Sequence, residues 1–130
     1  MSAGITGREK PMSKHVDWML ELAITDGKLD DFKALMNEMV GATKADEPGA
    51  LNYEWSVSDD GSRVHIYERY ADSDATMVHL ASFGKNFAER FMSMAKPTKL
   101  TVYGNPDETV RKALDRMGAV YMAPIGGFAR

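Results

Sequence analysis

At 130 residues, with 44% hydrophobic and 27% charged positions, the chain has the length and composition of one folded globular domain, which excludes a disordered or low-complexity segment. Sixteen Lys and Arg against nineteen Asp and Glu leave a formal net charge of −3, so there is no field to attract nucleic acid or an anionic membrane surface. The absence of cysteine removes disulfides, thiolate nucleophiles, iron–sulfur clusters and Cys-type zinc sites together.

Residues 1–13 carry Gly4, Gly7 and Pro11 without an apolar core of signal-peptide length, and are expected to be a flexible arm before a domain spanning 14–104. No apolar run reaches the roughly 20 residues a membrane span needs, so no membrane partner and a cytoplasmic location are expected. Residues 15–25 alternate, with Val16, Trp18, Leu20, Leu22 and Ile24 on one face, which predicts a strand closed by Asp26-Gly27. From Asp30, a candidate cap, the spacing becomes helical through Phe32, Leu35, Met36, Met39, Val40 and Thr43. Glu47-Pro48-Gly49 breaks the chain. Leu51, Tyr53, Trp55 and Val57 then alternate up to Asp59-Asp60-Gly61-Ser62, whose Asp-Gly marks a hairpin into a strand over 63–70. Val64, Ile66, Glu68 and Tyr70 share one face of that strand.

Asp72 or Ser73 is placed to cap one long helix running to about residue 95, kinked or split at Gly84, with Met77, Leu80, Ala81, Phe87, Phe91 and Met92 at helical spacing. Lys96-Pro97 is expected to end it before a strand over 99–103. Asn105-Pro106-Asp107-Glu108 offers a cap, a first-turn proline and acidic residues for a short helix stopping at Gly118. One more strand over 119–122 precedes a tail with Pro124, Gly126 and Gly127. Residues 105–130 thus read as a helix and an arm packing on the same domain or on a dimer partner. The order β, α, β, β, α, β predicts an α+β fold of the ferredoxin-like split βαβ type, a four-stranded antiparallel sheet with helices on one face. Large side chains occur on both faces of the strands, as with Trp18 against Met19, so the bare face is expected to meet a second copy in a twofold homodimer.

The stretches Glu47-Pro48-Gly49-Ala50-Leu51-Asn52-Tyr53-Glu54 and Tyr67-Glu68-Arg69-Tyr70-Ala71-Asp72-Ser73-Asp74-Ala75, the latter leading to His79-Leu80-Ala81-Ser82, resemble the antibiotic biosynthesis monooxygenase family of the dimeric α+β barrel superfamily. The likeness covers about residues 14–105 and implies that two copies close an α+β barrel. It also implies one of several roles: oxygenation of quinols or anthrone-type polyketides without metal or flavin, haem degradation, or another activity. In register with the haem-degrading members, their strand-one amide, strand-three tryptophan and helical histidine ligand fall at about Leu20, Tyr70 and Glu89, so haem is not expected. For the cofactor-free oxygenases the likeness implies an aromatic and polar pocket between sheet and helices, containing Glu68, Tyr70 and His79.

Oxygenation without a cofactor requires the substrate to supply the electrons, hence a small electron-rich aromatic such as a quinol, phenol or anthrone, and a protein base to ionise it. His79 is the candidate base, because an unperturbed imidazole titrates at about 6.5. An ideal helical wheel, however, sets it away from the Met77, Leu80 and Ala81 stripe, where it would be a surface or structural group. Glu68 is either a carboxylate aimed at an enclosed space or the partner of an arginine such as Arg90. Tyr70 either donates to a substrate oxygen or fills the core. Trp18, Leu20, Tyr53, Trp55, Phe83 and Asn86 are the candidate substrate-binding residues, although aromatic residues at strand spacing also serve packing. His15, His65 and His79 are scattered over three elements, so no metal site is expected. No glycine-rich phosphate motif follows a strand, so no nucleotide cofactor is expected either. The resulting expectation is a cofactor-independent monooxygenase catalysed by His79, Glu68 and Tyr70. The alternative is a non-catalytic small-molecule-binding or stress-associated dimer of the same superfamily.

Overall fold

The computed structural model describes residues 14–130, so the expected N-terminal arm lies outside the described residues. In chain order the elements are β1 (Val16–Ile24), α1 (Leu29–Asp46), β2 (Ala50–Val57), β3 (Arg63–Tyr70), α2 (Ser73–Asn86), α3 (Ala88–Met94), β4 (Ala95–Gly104), α4 (Glu108–Asp115) and β5 (Val120–Met122). The sheet order is β2-β3-β1-β4-β5, the arrangement of a ferredoxin-like α+β fold extended by one strand. Sheet pairings are antiparallel except β4 with β5, which run parallel, Val102 opposite Tyr121. The expected four strands are therefore five. The fifth forms because the turn at Gly118, with φ of 73°, brings the chain back along β4.

Alternation decides which side chains are enclosed. On β1 and β3, Val16, Trp18, Leu20, Leu22, Val64, Ile66 and Tyr70 turn into the core beneath the helices. From α1, Phe32, Leu35 and Met39 come down on them, as the spacing predicts. Phe91 of α3, only 1% exposed, joins Phe32 and Phe83 at ring-centroid distances of 5.4 and 5.2 Å. Burial of a ring of this kind contributes about 1.5–3 kcal/mol. On the opposite sheet face the register sets Met19 between Tyr67 and Thr101, and Asp17 between Arg69 and Tyr103.

Three boundaries differ from expectation. The long helix over 73–95 is two helices, and the break falls at Phe87 rather than Gly84. Phe87 leaves helical geometry at φ −131° so that its ring, 8% exposed, turns inward, whereas Gly84 is an exposed position within α2. Lys96-Pro97 does not end a helix but sits inside β4, where the proline nitrogen points away from β1 and costs that pairing no hydrogen bond. Helix α1 begins after Lys28, without the side-chain cap expected from Asp30. Asp72 does cap, accepting from the backbone N–H of Ala75, whereas α4 is capped by Asp107, which accepts from Val110, so Pro106 precedes the helix instead of standing in its first turn.

Candidate functional site

Two chain corners build the site. Helix α1 ends at Glu47, whose N–H donates to the Thr43 carbonyl while its own carbonyl accepts from Ala50 at the start of β2. The second corner joins β3 to α2. Ala71 N–H donates to the Gly49 carbonyl, and a Cβ on Gly49 would lie 2.5 Å from that of Ala75, so glycine is what lets the two corners touch. With the Asp72 cap starting α2 immediately after β3, His79 falls two turns along the helix, above Tyr70 and beside Glu47.

The result is a buried chain of polar groups. Glu47 Oε1 lies 2.9 Å from His79 Nδ1, and His79 Nε2 lies 3.3 Å from Glu68 Oε1. The Tyr70 hydroxyl donates to that same Glu68 Oε1 at 2.6 Å. Glu47, Glu68, His79 and Tyr70 are all buried, and the His79 ring lies tilted against Tyr70 at 5.0 Å and meets Tyr53 edge-on at 5.2 Å. Burial alone would pull the His79 pKa down. The bond to Glu68 with its charge, and the charge of Glu47 with its bond, outweigh burial and hold the imidazole above its ordinary value. Tyr70 is pushed far above the usual phenol range by burial first, then by the charge of Glu68 and the bond to it, so it stays a neutral donor. Burial and the charges of Glu68 and Glu47 likewise keep Tyr53 a phenol.

Beside this chain opens a small cavity whose empty space, about 420 Å³, includes the open solvent at its mouth. Trp18, Leu20, Ile66 and Glu68 line it from the sheet, Tyr53 from β2, and Met39, Leu80, Phe83 and Phe91 from the helices. Met92 and Met117, both substantially exposed, stand at the rim with Pro97. Among the described residues Glu68 is the sole carboxylate in this lining, and no Lys, Arg or His joins it there. Its Oε1 holds Tyr70 and His79, whereas no described residue hydrogen-bonds its Oε2. The Tyr53 hydroxyl is also without a hydrogen bond among the described residues. The arrangement presents one carboxylate oxygen and one phenol to an otherwise apolar ligand. The two carboxylates lie on opposite nitrogens of one ring and cannot chelate a common ion, and among the described residues no group of three such side chains could hold a metal.

Glu68, Tyr70 and His79 are thus brought together, but in a different order from the one expected. His79 turns inward with Thr76, not toward solvent, and Ala81 is the exposed residue of the supposed stripe. It does not line the cavity; the imidazole stands behind Glu68 with both nitrogens engaged. Tyr70, fully buried, is a donor to Glu68 rather than part of the wall. Arg90 does not pair with Glu68 but forks onto Glu38 at the surface. Trp18, Leu20, Tyr53 and Phe83 line the cavity. Trp55 lies outside the lining, packed on Phe32, Tyr53 and Phe91, and Asn86 is exposed, its amide 3.4 Å from Ser82 Oγ. Glu47 reads in the sequence only as a turn residue. Its pairing spans 32 positions, and the one hint is its place in the family-like stretch before Tyr53.

A five-stranded ferredoxin-like domain with a cavity between sheet and helices defines the class. The chain belongs to the antibiotic biosynthesis monooxygenase family, whose pattern matches residues 18–89. Among solved structures it is similar to MupZ from Pseudomonas fluorescens, with 27% identity, 94% of each chain covered and a TM-score of 0.82. It is similar as well to Rv0793 from Mycobacterium tuberculosis, with 25% identity over 72% of this chain and 97% of that one and a TM-score of 0.62. A third likeness is to SnoaB, a cofactor-independent oxygenase from Streptomyces nogalater, at 15% identity over 73% and 96% of the chains and a TM-score of 0.61. No curated protein is matched by sequence. Among the described residues no helix is long and apolar enough to cross a membrane.

Proposed function

We propose that this protein is a cofactor-independent monooxygenase acting on a small, neutral, electron-rich aromatic such as a hydroquinone, naphthol or anthrone, with Glu68 as the group that takes the substrate proton. The observation that carries this is the open Oε2 of Glu68 in an apolar cavity, with Oε1 held by Tyr70 and His79. The proton of an acidic O–H or C–H passes to Oε2 and its electron pair stays on the substrate, which then reacts with dioxygen. At a methylene centre, one atom of dioxygen becomes the new carbonyl oxygen and the other leaves as water with both methylene hydrogens, so all the electrons come from the substrate. Tyr53 donates to the oxygen on which charge develops. His79 and Tyr70 act through Glu68 by fixing its carboxylate. Family membership supports the reaction class.

Oxygen uptake by the purified protein against hydroquinones, naphthols and anthrones tests the reading. The native chain is expected to consume oxygen with at least one of them. Glu68→Gln is expected to abolish uptake while still binding that substrate, and uptake undiminished in Glu68→Gln would overturn the assignment. The apolar lining equally suits a non-catalytic small-molecule binder, which binding without uptake in the native chain would favour.

A second copy of the chain covering the outer sheet face is the accompanying proposal. Tyr103, Val120 and Met122 stand exposed on that face, which also carries Met19 and Tyr67, with Asp17 and Thr101 set among them, and exposed apolar side chains gathered in this way mark an interface. Sedimentation is expected to give a dimer, and a folded monomer at micromolar concentration would contradict it.

A further inference from the structure

We infer that Glu47 is a positioning residue for this site: through His79 it determines where the proton of the buried cluster resides, and so holds Glu68 with Oε2 turned to the cavity. The inference deepens the reading of Glu68 as proton acceptor and rests on that reading for its kinetic consequence.

A neutral imidazole has one N–H and one lone pair, whereas an imidazolium has two donors. In this cluster both ring nitrogens face carboxylate oxygens, Glu47 at 2.9 Å and Glu68 at 3.3 Å, and a carboxylate only accepts. A neutral ring would set its lone pair against one of two buried anions. The doubly protonated ring satisfies both, and the cluster then carries one net negative charge instead of two.

The surroundings leave two carboxylates to settle the ring's protonation, Glu68, which also lines the cavity, and Glu47, which serves the ring alone. The other titratable groups against the ring are Tyr53 from β2 and Glu68 and Tyr70 from β3. The two phenols stay neutral. On α2 itself the acidic residues Asp72 and Asp74 belong to the N-terminal turn, and Asp72 is engaged in capping. Glu47 is 8% exposed, and its carboxylate has no partner but His79 among the described residues. A buried anion at the end of α1 with no cation beside it other than an imidazole is costly unless that imidazole is charged. The bond therefore selects the protonation state of a ring that never reaches the ligand.

The test is Glu47→Gln, which keeps the shape and the contact with Nδ1 but removes the charge. A glutamine amide can donate to an imidazole lone pair, so the ring no longer needs its second proton. Nitrogen NMR of the full chain, without any substrate, reads the His79 titration directly. The expected result is a fall of at least about one pH unit, a tenfold loss of proton affinity. Glu47→Asp, shorter but charged, is expected to keep the high titration point. In oxygen uptake, the pH above which the rate declines is expected to move down by the same amount in Glu47→Gln, with kcat reduced and KM held. A purely structural Glu47 would move none of these. His79 titrating in Glu47→Gln as in the native chain, or falling equally in Glu47→Asp, would overturn the inference. Absence of uptake in the native chain would count against oxygenation, and the NMR titration would still decide the role of Glu47.

Discussion

Replacing Tyr70 by phenylalanine removes one oxygen and leaves the ring in place, so it isolates the hydrogen bond that anchors Glu68. The ring is fully buried and packed between Trp18, at 5.2 Å, and His79, at 5.0 Å, and a phenylalanine there would occupy the same volume without opening a cavity. The lost contact is a 2.6 Å bond to a buried carboxylate that, among the described residues, keeps one other donor, His79 at 3.3 Å. Hydrogen bonds to charged groups contribute about 1.5–3 kcal/mol, and a domain of this length loses its midpoint at about 4 °C per kcal/mol, so Tyr70→Phe is expected to melt about 6–12 °C lower. Thermal unfolding by circular dichroism at neutral pH measures this. Oxygen uptake should fall as well, because Glu68 loses one of the two groups that aim it. A midpoint within about 2 °C of the native chain, with unchanged uptake, would show that Tyr70 merely fills the core and would refute the account of how Glu68 is held.

The raised pKa of His79 has a signed consequence for stability. The folded chain retains a proton that the unfolded chain gives up near pH 6.5, so this contribution is fully present below that point and is lost as pH rises through the higher folded value. Urea unfolding of the native chain is expected to show that loss on the alkaline side, and His79→Gln should flatten it; an equal slope in both would contradict the paired imidazolium. Gly49→Ala is expected to cost about 1–3 kcal/mol, since the added Cβ meets that of Ala75 where the two corners touch, and a stability matching the native chain would show that the corners can part freely.

The fold is legible in the sequence wherever one periodicity runs uninterrupted. Val16, Trp18, Leu20 and Leu22 in β1 and Phe32, Leu35 and Met39 in α1 bury as their spacing predicts, because each side of the element meets a different environment. Local breakers are less informative. Gly84 and Lys96-Pro97 look like boundaries, but inward burial of the Phe87 ring decides the first, and Pro97 fits within β4 because its nitrogen faces away from β1. In the site, alternation places Glu68 and Tyr70 on one strand face. The helical wheel misplaces His79 because the apolar residues of α2 anchor it, whereas the most buried side chains of that helix are the polar Thr76 and His79. The role of Glu47 arises only when two corners distant in sequence are pressed together, which no local pattern encodes.

The short β5 has a consequence for solubility. Without it, β4 would offer ten residues of unpaired backbone along one flank of the sheet, a ready template for a foreign strand. Three residues of β5 shield the stretch from Thr101 to Tyr103, and the remaining half carries Pro97, which has no N–H to offer, between the exposed Lys96 and Lys99. One flank is thus covered by chain at one end and interrupted by proline and flanking charges at the other, which discourages edge-to-edge growth there.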